Sequence, residues 1–486
     1  MIIMKFGGSS IKNGRAIKRV AKIIGEHKHK KRVVVLSALG GVTDQLIEAH
    51  KRALAQDKAG WLALLEEIYG RHHDLTHELI PEGALRDKTL NQLESYFNSL
   101  NNFLEVGSSL RVFNPDIYSS IVALGELLST AIFSSYLISE EIFAVFHDAR
   151  NIVAVEHTRE ETLPLFKVIG ERAGGELLPS LEKGLVVVTQ GFIARTADGA
   201  PTTLGRDGSD YTAAILGAAL KAEEIQIWSD VNGILSADPG IIGDARPLKT
   251  MTFDEACELA YFGARVLHPA TIQPAVSHGI PVRVLNSRAP HEAGTLITNG
   301  EGGSGQRAIR SIAYKENIAL LTVESSRLLL SPRLIERVFE ILTRHGKNVF
   351  AVSKAATRLS LTIQSHEDSL AFLDELKVFG KIQYERNKVV VSVVGEGMKG
   401  NPTVGWKIIS LLDEAGVSLE LFSQFRKQIS MMFIIDEKDI EKTVRLIHDR
   451  FVANRGGARR GRVACSLPGG AREKTTAAPV IATARL

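Results

Sequence analysis

The feature that most constrains this chain is an alternation of short apolar runs with stretches of helical period across residues 1–298. Strands buried on both faces appear in a sequence as continuous apolar runs, and a helix between consecutive strands makes them parallel. The sequence therefore predicts a three-layer α/β fold, in which a mostly parallel sheet is covered by helices on both faces. The predicted buried strands are Ile2–Phe6, Val33–Ser37, Phe143–His147, Leu185–Gln190, Ile225–Trp228 and Val282–Leu285.

One long helical stretch, about residues 44–110, breaks this alternation. Several apolar residues within it recur at helical spacing and would lie on one stripe of a helix. Such a stripe packs against another helix, so the stretch is predicted to form a helical hairpin or a small bundle inserted into the α/β domain. The stripe consists of Leu90, Leu93, Phe97, Leu100 and Leu104.

The part of the chain after residue 298 predicts a different architecture. Residues 299–309 contain the run NGEGGSGQ, which is glycine-rich, has no apolar period and is typical of a linker. Two ferredoxin-like units of βαββαβ order are predicted at residues 310–384 and 385–452, as a divergent repeat. The periodicity stops at residue 453, so residues 453–486 are predicted to be a disordered basic tail.

Composition argues against several classes of function. The chain has 44% hydrophobic and 23% charged residues, as an ordinary soluble protein does, and no apolar run is expected to approach the length of a bilayer span. Seven Lys or Arg and one acidic residue lie after Val452, and the rest of the chain carries 52 basic and 54 acidic residues. The net charge of +4 therefore comes from the tail, and no nucleic-acid partner is expected. Two cysteines and an N-terminus that does not resemble a signal peptide favour a cytoplasmic location.

Glycine-containing motifs follow the first two predicted strands, at the edge where open α/β sheets bind ligands. In KFGGSS, Gly7 and Gly8 let backbone amides approach an anion, and Lys5 supplies a positive charge. A tight turn with a surface lysine is the alternative. The run SALGGVTD, which contains Thr43, is either a second anion-facing turn or a helix N-cap.

Two further motifs carry charged side chains suited to an amino acid. ALGELLS places Glu126 in an apolar helix, where it lies either on the solvent face or beside a cation such as a substrate ammonium. TTLGRDGSDY offers the guanidinium fork of Arg206 to a carboxylate, and Ser209 and Asp210 begin the next helix. The alternative is that Asp210 caps that helix and Arg206 is a surface group.

Two later motifs carry further polar side chains. WSDVNGILSADP places Ser229, Asp230 and Asp238 in a loop after a predicted strand, where the residues either bind a nucleotide or only form a turn. FGARVLHPAT contributes Arg265 and His268, and a histidine before proline is more often structural than catalytic.

The order and spacing of these motifs resemble those of the aspartate kinases within the amino acid kinase superfamily. The resemblance covers residues 1 to about 452, and the two small units resemble the paired ACT domains of those enzymes. It implies ATP-dependent phosphorylation of the side-chain carboxylate of L-aspartate to 4-phospho-L-aspartate, the first step of lysine, threonine and methionine biosynthesis. It also implies Mg²⁺, a possible amino-acid effector at the ACT units, and a homodimer or larger homo-oligomer.

The resemblance also implies a role for each motif. Lys5 would hold the transferring phosphoryl group and Asp210 would orient that lysine, so these two are the catalytic residues. Residues around ATP would be Lys5, Gly7, Gly8, Ser9, Ser229, Asp230, Asp238 and Arg265. Residues around aspartate would be Thr43, Glu126, Arg206 and Ser209, with Glu126 at the ammonium and Arg206 at the α-carboxylate. No protein side chains are assigned as metal ligands.

The implied reaction agrees with the residue types. A carboxylate with a pKa near ~4 is already ionised at neutral pH, so this nucleophile needs no general base. The difficulty is the approach of an anion to a triphosphate, which cations, backbone donors and Mg²⁺ must counter. The sequence accordingly offers positive groups and orienting acids at these motifs rather than a Ser-His-Asp set.

Some positions depart from the family pattern, and alternatives stay open. Arg265 replaces a usual lysine and Leu235 a common tyrosine, and NVFAVSKAATRLS in the first small unit offers no carboxylate to a lysine effector. Threonine as effector, or no feedback, therefore remains open. Other candidate functions are a catalytically silent amino-acid sensor and another amino acid or carbamate kinase. No Rossmann fingerprint follows, so a fused homoserine dehydrogenase is not expected.

Overall fold

The computed structural model describes residues 1–158, 162–263, 269–300, 308–325, 332–365, 370–423 and 428–453. The strands up to residue 298 are β1 (Ile2–Phe6), β2 (Arg32–Leu36), β3 (Ala144–Phe146), β4 (Ala154–His157), β5 (Thr162–Pro164), β6 (Val186–Gln190), β7 (Ile193–Thr196), β8 (Pro201–Thr203), β9 (Glu224–Ser229), β10 (Thr250–Thr252), β11 (Val282–Asn286) and β12 (Thr295–Thr298). The helices are α1 (Gly14–Glu26), α2 (Val42–Leu54), α3 (Lys58–Leu79), α4 (Ala84–Leu110), α5 (Pro115–Ser139), α6 (Ala149–Ile152), α7 (Phe166–Glu176), α8 (Leu178–Glu182), α9 (Gly208–Leu220), α10 (Phe253–Tyr261) and α11 (Pro269–Ser277).

The central sheet has eight strands in the order β10-β12-β11-β9-β1-β2-β6-β3, and only the β11–β12 pair is antiparallel. In the parallel part, Phe6 pairs with Leu36 on one side and with Trp228 on the other. Leu36 in turn pairs with Gln190. The carboxyl ends of these four strands therefore meet at one edge of the sheet, so that the loops after them lie side by side.

The two faces of the sheet support separate apolar cores, as the period of two along a strand requires. Met4 and Phe6 of β1 belong to the core under α1 to α5, whereas Ile3 belongs to the core under α7, α9, α10 and α11. This arrangement confirms the three-layer α/β fold with a mostly parallel sheet. Each of the six strands predicted from apolar runs corresponds to a strand of this sheet.

A second, four-stranded sheet in the order β5-β4-β7-β8 was not predicted from the sequence. Its strands have only three or four residues each, and several of those residues are polar. Strands this short leave no continuous apolar run. The pairing of β7 with β8 brings the chain to the turn that contains Arg206.

The helical stretch at residues 44–110 forms α2, α3 and α4, which pack with α5 as a small bundle. Of the predicted stripe, Leu93, Phe97, Leu100 and Leu104 are buried. Helix α5 is long and apolar enough to cross a membrane, but 89% of its most apolar window is buried inside the protein. The expectation that no apolar segment reaches that length was therefore wrong for α5. Interspersed serines and threonines make the segment look interrupted in the sequence.

The chain after residue 308 forms one six-stranded antiparallel sheet in the order β14-β15-β13-β16-β18-β17. Its strands are β13 (Ser311–Glu324), β14 (Val349–Lys354), β15 (Arg358–Gln364), β16 (Lys381–Val394), β17 (Leu421–Ser423) and β18 (Ser430–Asp436). Its helices are α12 (Pro332–Arg344), α13 (Ala371–Leu376), α14 (Pro402–Glu414) and α15 (Ile440–Ile447).

Both long strands of this sheet, β13 and β16, take part in both predicted small units. Residues 311–315 pair with residues 390–394, whereas residues 318–324 pair with β15 and with residues 381–388. The first unit is thus nested within the second, a difference from the expected consecutive repeats that arises because β13 and β16 each serve both units. The domain boundaries near residues 298, 309, 384 and 452 stay predictions. Residues 301–307 of the linker and 454–486 of the tail lie outside the described residues.

Candidate active site

Two glycine turns lie in contact at the carboxyl edge of the central sheet. One follows β1 and contains Gly8, and the other follows β2 and contains Gly40. A Cβ atom on Gly8 would lie 2.9 Å from the carbonyl oxygen of Ala38 and 3.2 Å from the backbone nitrogen of Gly40. Only glycine permits this approach of two backbones, so KFGGSS and SALGG form one surface. Gly7 and Gly8 are partly exposed and Ser9 is exposed, as an anion-binding turn requires.

A buried ion pair lies beside the first turn. The Lys5 ammonium on β1 is 2.7 Å from Oδ1 of Asp210, which lies in the first turn of α9, and each side chain is only 11% exposed. The ammonium is also 3.5 Å from the position that a Cβ atom of Gly7 would occupy. Asp210 Oδ1 has no hydrogen-bond donor among the described residues. The carboxylate therefore holds the cation near the glycine turn by charge.

Glu126 carries a buried carboxylate with one unsatisfied oxygen. Its Oε1 accepts a hydrogen bond from the backbone N–H of Ala38 at 3.1 Å, while Oε2 has no partner within the described structure. Burial raises the pKa of Glu126 to about 8, although the bond from Ala38 opposes the rise. The solvent-face alternative for Glu126 is therefore wrong, because the side chain is only 3% exposed. A buried acid in this state favours a cationic ligand.

The other residues predicted to bind aspartate lie near these groups. The Ser37 hydroxyl donates to the Ser209 hydroxyl at 2.9 Å, which joins the end of β2 to the start of α9. Thr43 lies half-buried in the first turn of α2. Arg206 is exposed in the turn before α9 and makes no ion pair with any residue that the structure describes, so its guanidinium is free to meet a carboxylate.

The residues predicted to lie around the nucleotide have more varied surroundings. Ser229 ends β9 next to Asn286 of β11, and Asp230 pairs with Arg288 at 3.4 Å on the surface. Asp238 accepts a hydrogen bond at 2.7 Å from the hydroxyl of Tyr314, which lies on β13 of the C-terminal sheet. Arg265 and His268 lie outside the described residues. Leu235 forms an isolated bridge with Pro247.

Arg71 was missed by sequence reasoning. This α3 residue donates through Nη1 to the carbonyl of Gly40 at 2.9 Å and through Nη2 to the carbonyl of Lys12 at 3.0 Å. The helical insertion thereby ties together the segments that follow β1 and β2. No motif indicates this contact, because Arg71 is one charged residue among many in a helical sequence.

Together these groups suit the binding and transfer of an anionic group. A fixed ammonium, glycine turns with accessible amides and the N-terminal end of a 13-residue helix all favour negative charge. Glu126 contacts the backbone N–H of Ala38, and Gly8 lies against the carbonyl oxygen of the same residue. The unpaired oxygen of Glu126 therefore lies close to the Gly8 turn, and it suits a cation. A site that receives a phosphate and an ammonium compound together belongs to the class of phosphotransferases that act on amino acids.

Comparisons with known proteins agree with this class. The model of the amino acid kinase family matches residues 1–286, and that of an ACT domain matches residues 391–451. Lysine-sensitive aspartokinase 3 of Escherichia coli is 31% identical over 458 residues, covering 92% of this chain and 98% of the relative. Aspartokinase 3, chloroplastic, of Arabidopsis thaliana is 32% identical over 470 residues, covering 92% and 81%.

Solved structures give the same result. Escherichia coli aspartokinase III in complex with lysine and aspartate, in the T-state, is 30% identical with a TM-score of 0.81, covering 93% of this chain and 99% of that one. The same enzyme with aspartate and ADP, in the R-state, is 30% identical with a TM-score of 0.76, covering 92% and 99%. This chain belongs to the aspartokinases of the amino acid kinase family.

The raised pKa of Glu126 predicts proton release when an ammonium compound binds. Below about pH 8 the free protein holds Glu126 protonated, and an ammonium group that pairs with it favours the carboxylate. At pH 7 the binding of aspartate should release close to one proton, and its apparent affinity should rise with pH up to about 8. Calorimetry in two buffers of different ionisation enthalpy measures this release. The matched variant Glu126→Gln should show none, and a buffer-independent enthalpy in the unmodified protein would contradict the assignment.

Proposed function

We propose that this chain catalyses the ATP-dependent phosphorylation of the side-chain carboxylate of L-aspartate, which gives 4-phospho-L-aspartate. The observation that carries the proposal is the buried Lys5–Asp210 pair beside the glycine turns, with the orphaned oxygen of Glu126 adjoining them. Membership of the aspartokinases supports aspartate as the acceptor. A cytoplasmic location belongs to the same proposal.

In the proposed reaction the side chains lower the repulsion between two anions. Lys5 places its ammonium against the transferring phosphoryl group, and Asp210 keeps that ammonium in position. Backbone amides at Gly7, Gly8 and Ser9 line the phosphates. The side-chain carboxylate of aspartate attacks the terminal phosphorus in line, and the bond from that phosphorus to the bridging oxygen breaks, so that ADP leaves with the electron pair.

Aspartate is oriented through its other two charged groups. Glu126 accepts the α-ammonium, with Thr43 and Ser209 nearby, and Arg206 forms a bidentate pair with the α-carboxylate. Both contacts leave the side-chain carboxylate free to face Lys5. Correct alignment of two bound reactants is one of the larger sources of rate enhancement available to such an enzyme.

The nucleotide contacts are assigned to Ser229, Asp230, Asp238 and Arg265. Mg²⁺ bound with the nucleotide would supply positive charge to the transferring group. No group of three or more His, Cys, Asp or Glu in the described part of the chain could hold a metal by itself. Mg²⁺ commonly takes most of its ligands from phosphates and water, so we propose that the ion arrives with ATP.

The proposal predicts release of ADP that depends strictly on aspartate. A coupled assay with aspartate, with glutamate and with no acceptor measures this dependence. Comparable turnover with glutamate would indicate a different amino acid kinase. Absence of turnover with every acceptor would indicate an amino-acid sensor.

The matched variants for this assay are Lys5→Ala and Lys18→Ala. Lys5→Ala should lower kcat by roughly a thousandfold, because removal of a preorganised positive group costs most in the transition state. Lys18 has a side chain that is 52% exposed, so Lys18→Ala should stay within about twofold of the unmodified rate. A near-normal rate for Lys5→Ala, with the fold intact by circular dichroism, would mean that the phosphate site is misplaced.

Regulation by an amino acid at the ACT region is part of the proposal. Strand β14 presents Phe350 and the exposed Lys354, and Arg358 of β15 pairs with Glu324 at 3.4 Å. Lys354 opposes the side-chain ammonium of a lysine effector in its neighbourhood, which disfavours lysine there. We therefore expect weak inhibition by lysine at this strand pair, with threonine as effector or no feedback left open, as measured by turnover with lysine, threonine or both. Strong inhibition by lysine alone would overturn the charge argument.

A homodimer or larger assembly is also proposed. The six-stranded sheet ends in β14 on one side and β17 on the other, and strand edges without a partner tend to be covered in native proteins. Val378 and Trp406 are 75% and 68% exposed in the same region. Sedimentation at micromolar concentration should give at least twice the mass of the chain. A monomer alone would contradict this prediction.

A further inference from the structure

The first strand of the C-terminal sheet lies directly against the loop that carries Asp238. The backbone N–H of Ile312 donates to the carbonyl of Ser236 at 3.0 Å. The Ser311 hydroxyl donates to the carbonyl of Leu235 at 2.7 Å. The start of β13 thus supplies hydrogen-bond donors to consecutive carbonyls of a loop in the kinase domain.

Asp238 itself is held by two donors on two different domains. Its Oδ2 accepts from the Tyr314 hydroxyl at 2.7 Å, and its Oδ1 accepts from the backbone N–H of Gly240 at 2.7 Å. One donor on each oxygen fixes the plane of the carboxylate. Each oxygen keeps a further lone pair, so a hydroxyl or amino donor of a ligand can approach only in the direction that this plane leaves open.

Tyr314 remains a donor at every pH at which such an enzyme works. Burial and the hydrogen bond to Asp238 both raise the pKa of the Tyr314 phenol above its ordinary value, so the hydroxyl stays protonated. The bond is also charge-assisted, because Asp238 is the acceptor, and bonds of this kind are shorter and stronger than neutral ones.

The backbone of Tyr314 meets the kinase domain at a second point. A Cβ atom on Gly263, which follows α10 with a φ of +113°, would lie 2.3 Å from the carbonyl oxygen of Tyr314. No side chain fits there, so the end of α10 and β13 pack backbone against backbone. One residue of the C-terminal sheet therefore contacts both Asp238 and the end of α10.

We propose that Tyr314 is a positioning residue for ATP, which sets the orientation of Asp238 from the C-terminal sheet. The inference rests on the proposed function, in which Asp238 faces the nucleotide. β13 continues from Tyr314 to Glu324 with an irregular register between Lys315 and Leu320, and its second half pairs with β15 and β16. A displacement of the regulatory sheet along this strand would therefore alter ATP binding rather than aspartate binding.

The direct test is Tyr314→Phe, which removes one hydroxyl and keeps the ring. The KM for ATP should rise about fivefold to tenfold, because a bond to a charged acceptor is lost while solvent partly replaces it. The kcat and the KM for aspartate should stay within about twofold. Tyr384→Phe is the matched control: its hydroxyl lies 3.5 Å from that of Ser365 in the C-terminal sheet, and its kinetic constants should not change.

A double-mutant cycle with Asp238→Asn separates the possible failures. Asp238→Asn should also raise the KM for ATP, and Tyr314→Phe should add less than twofold on that background, since both changes remove one interaction. An unmodified protein without aspartate-dependent turnover would contradict the proposed function itself. If the protein is active and Asp238→Asn leaves the KM for ATP unchanged, the inference is wrong at Asp238. If Asp238→Asn raises the KM for ATP but Tyr314→Phe does not, the inference is wrong at Tyr314.

Direct binding of ADP provides a readout that does not depend on turnover. Calorimetric titration well below the unfolding temperature of each variant should show weaker ADP binding by Tyr314→Phe and unchanged binding by Tyr384→Phe. Equal ADP affinity in both variants, or a Tyr314→Phe defect that raises both KM values alike, would indicate a structural role only and overturn the inference.

Discussion

The ion pair between Lys5 and Asp210 is the interaction on which the arrangement of the site depends. It joins the central strand of the parallel sheet to the first turn of α9, and both side chains are almost completely shielded from water. Removal of one partner from a buried pair typically costs about 3–5 kcal/mol, because the other charge is left uncompensated. Replacement of both partners by well-packed apolar residues is, in contrast, often neutral or stabilising, so the pair is a poor source of stability compared with apolar packing. What it provides is a cation fixed in place before any phosphate arrives, which is the form of electrostatic preorganisation that favours phosphoryl transfer.

Much of this site could be predicted from the sequence, because its residues follow buried strands. β1 gives Lys5 and the glycine turn, and a polar residue at the carboxyl end of a parallel strand necessarily lies at the ligand-binding edge. The environment of Glu126 could not be predicted. An acid between leucines fits either a solvent-facing or a core position of a helix, and only the packing of α5 against the turn after β2 decides between them.

The remaining failures have a common physical cause, since they concern pairings between distant segments. The strands of the small sheet are too short to give a period, and Arg71 reaches Gly40 across 31 positions of sequence. The polar run Lys315, Glu316 and Asn317 interrupts the apolar pattern of β13, and the sequence does not show that the residues on its two sides form one strand shared by two units. Asp238 was assigned from its motif, and nothing in that motif indicates a tyrosine from another domain.

The construction of the C-terminal sheet supports the proposed effect of β13 on the loop that carries Asp238. Lys388 lies near the middle of β16 with a side chain that is only 7% exposed, and it pairs with Glu420, Asp436 and Glu385. Three carboxylates around one buried ammonium tie β16 to β18 and to the segment before β17. With β13 and β16 shared between both halves, the sheet is more easily displaced as a body than bent within itself.

The two acids of the site differ in whether the protein itself compensates their negative charge. Asp210 is compensated within the protein, so its negative charge is available to hold Lys5 whether or not a ligand is present. Glu126 lacks a cation, and above about pH 8 the empty protein must either bury an uncompensated charge or admit water to it. A ligand ammonium compensates the Glu126 carboxylate and removes that penalty. Part of the binding free energy therefore comes from removing the cost of a buried, unpaired charge. A buried acid without a partner is tolerated where function requires it, since local violations of burial rules concentrate at functional sites.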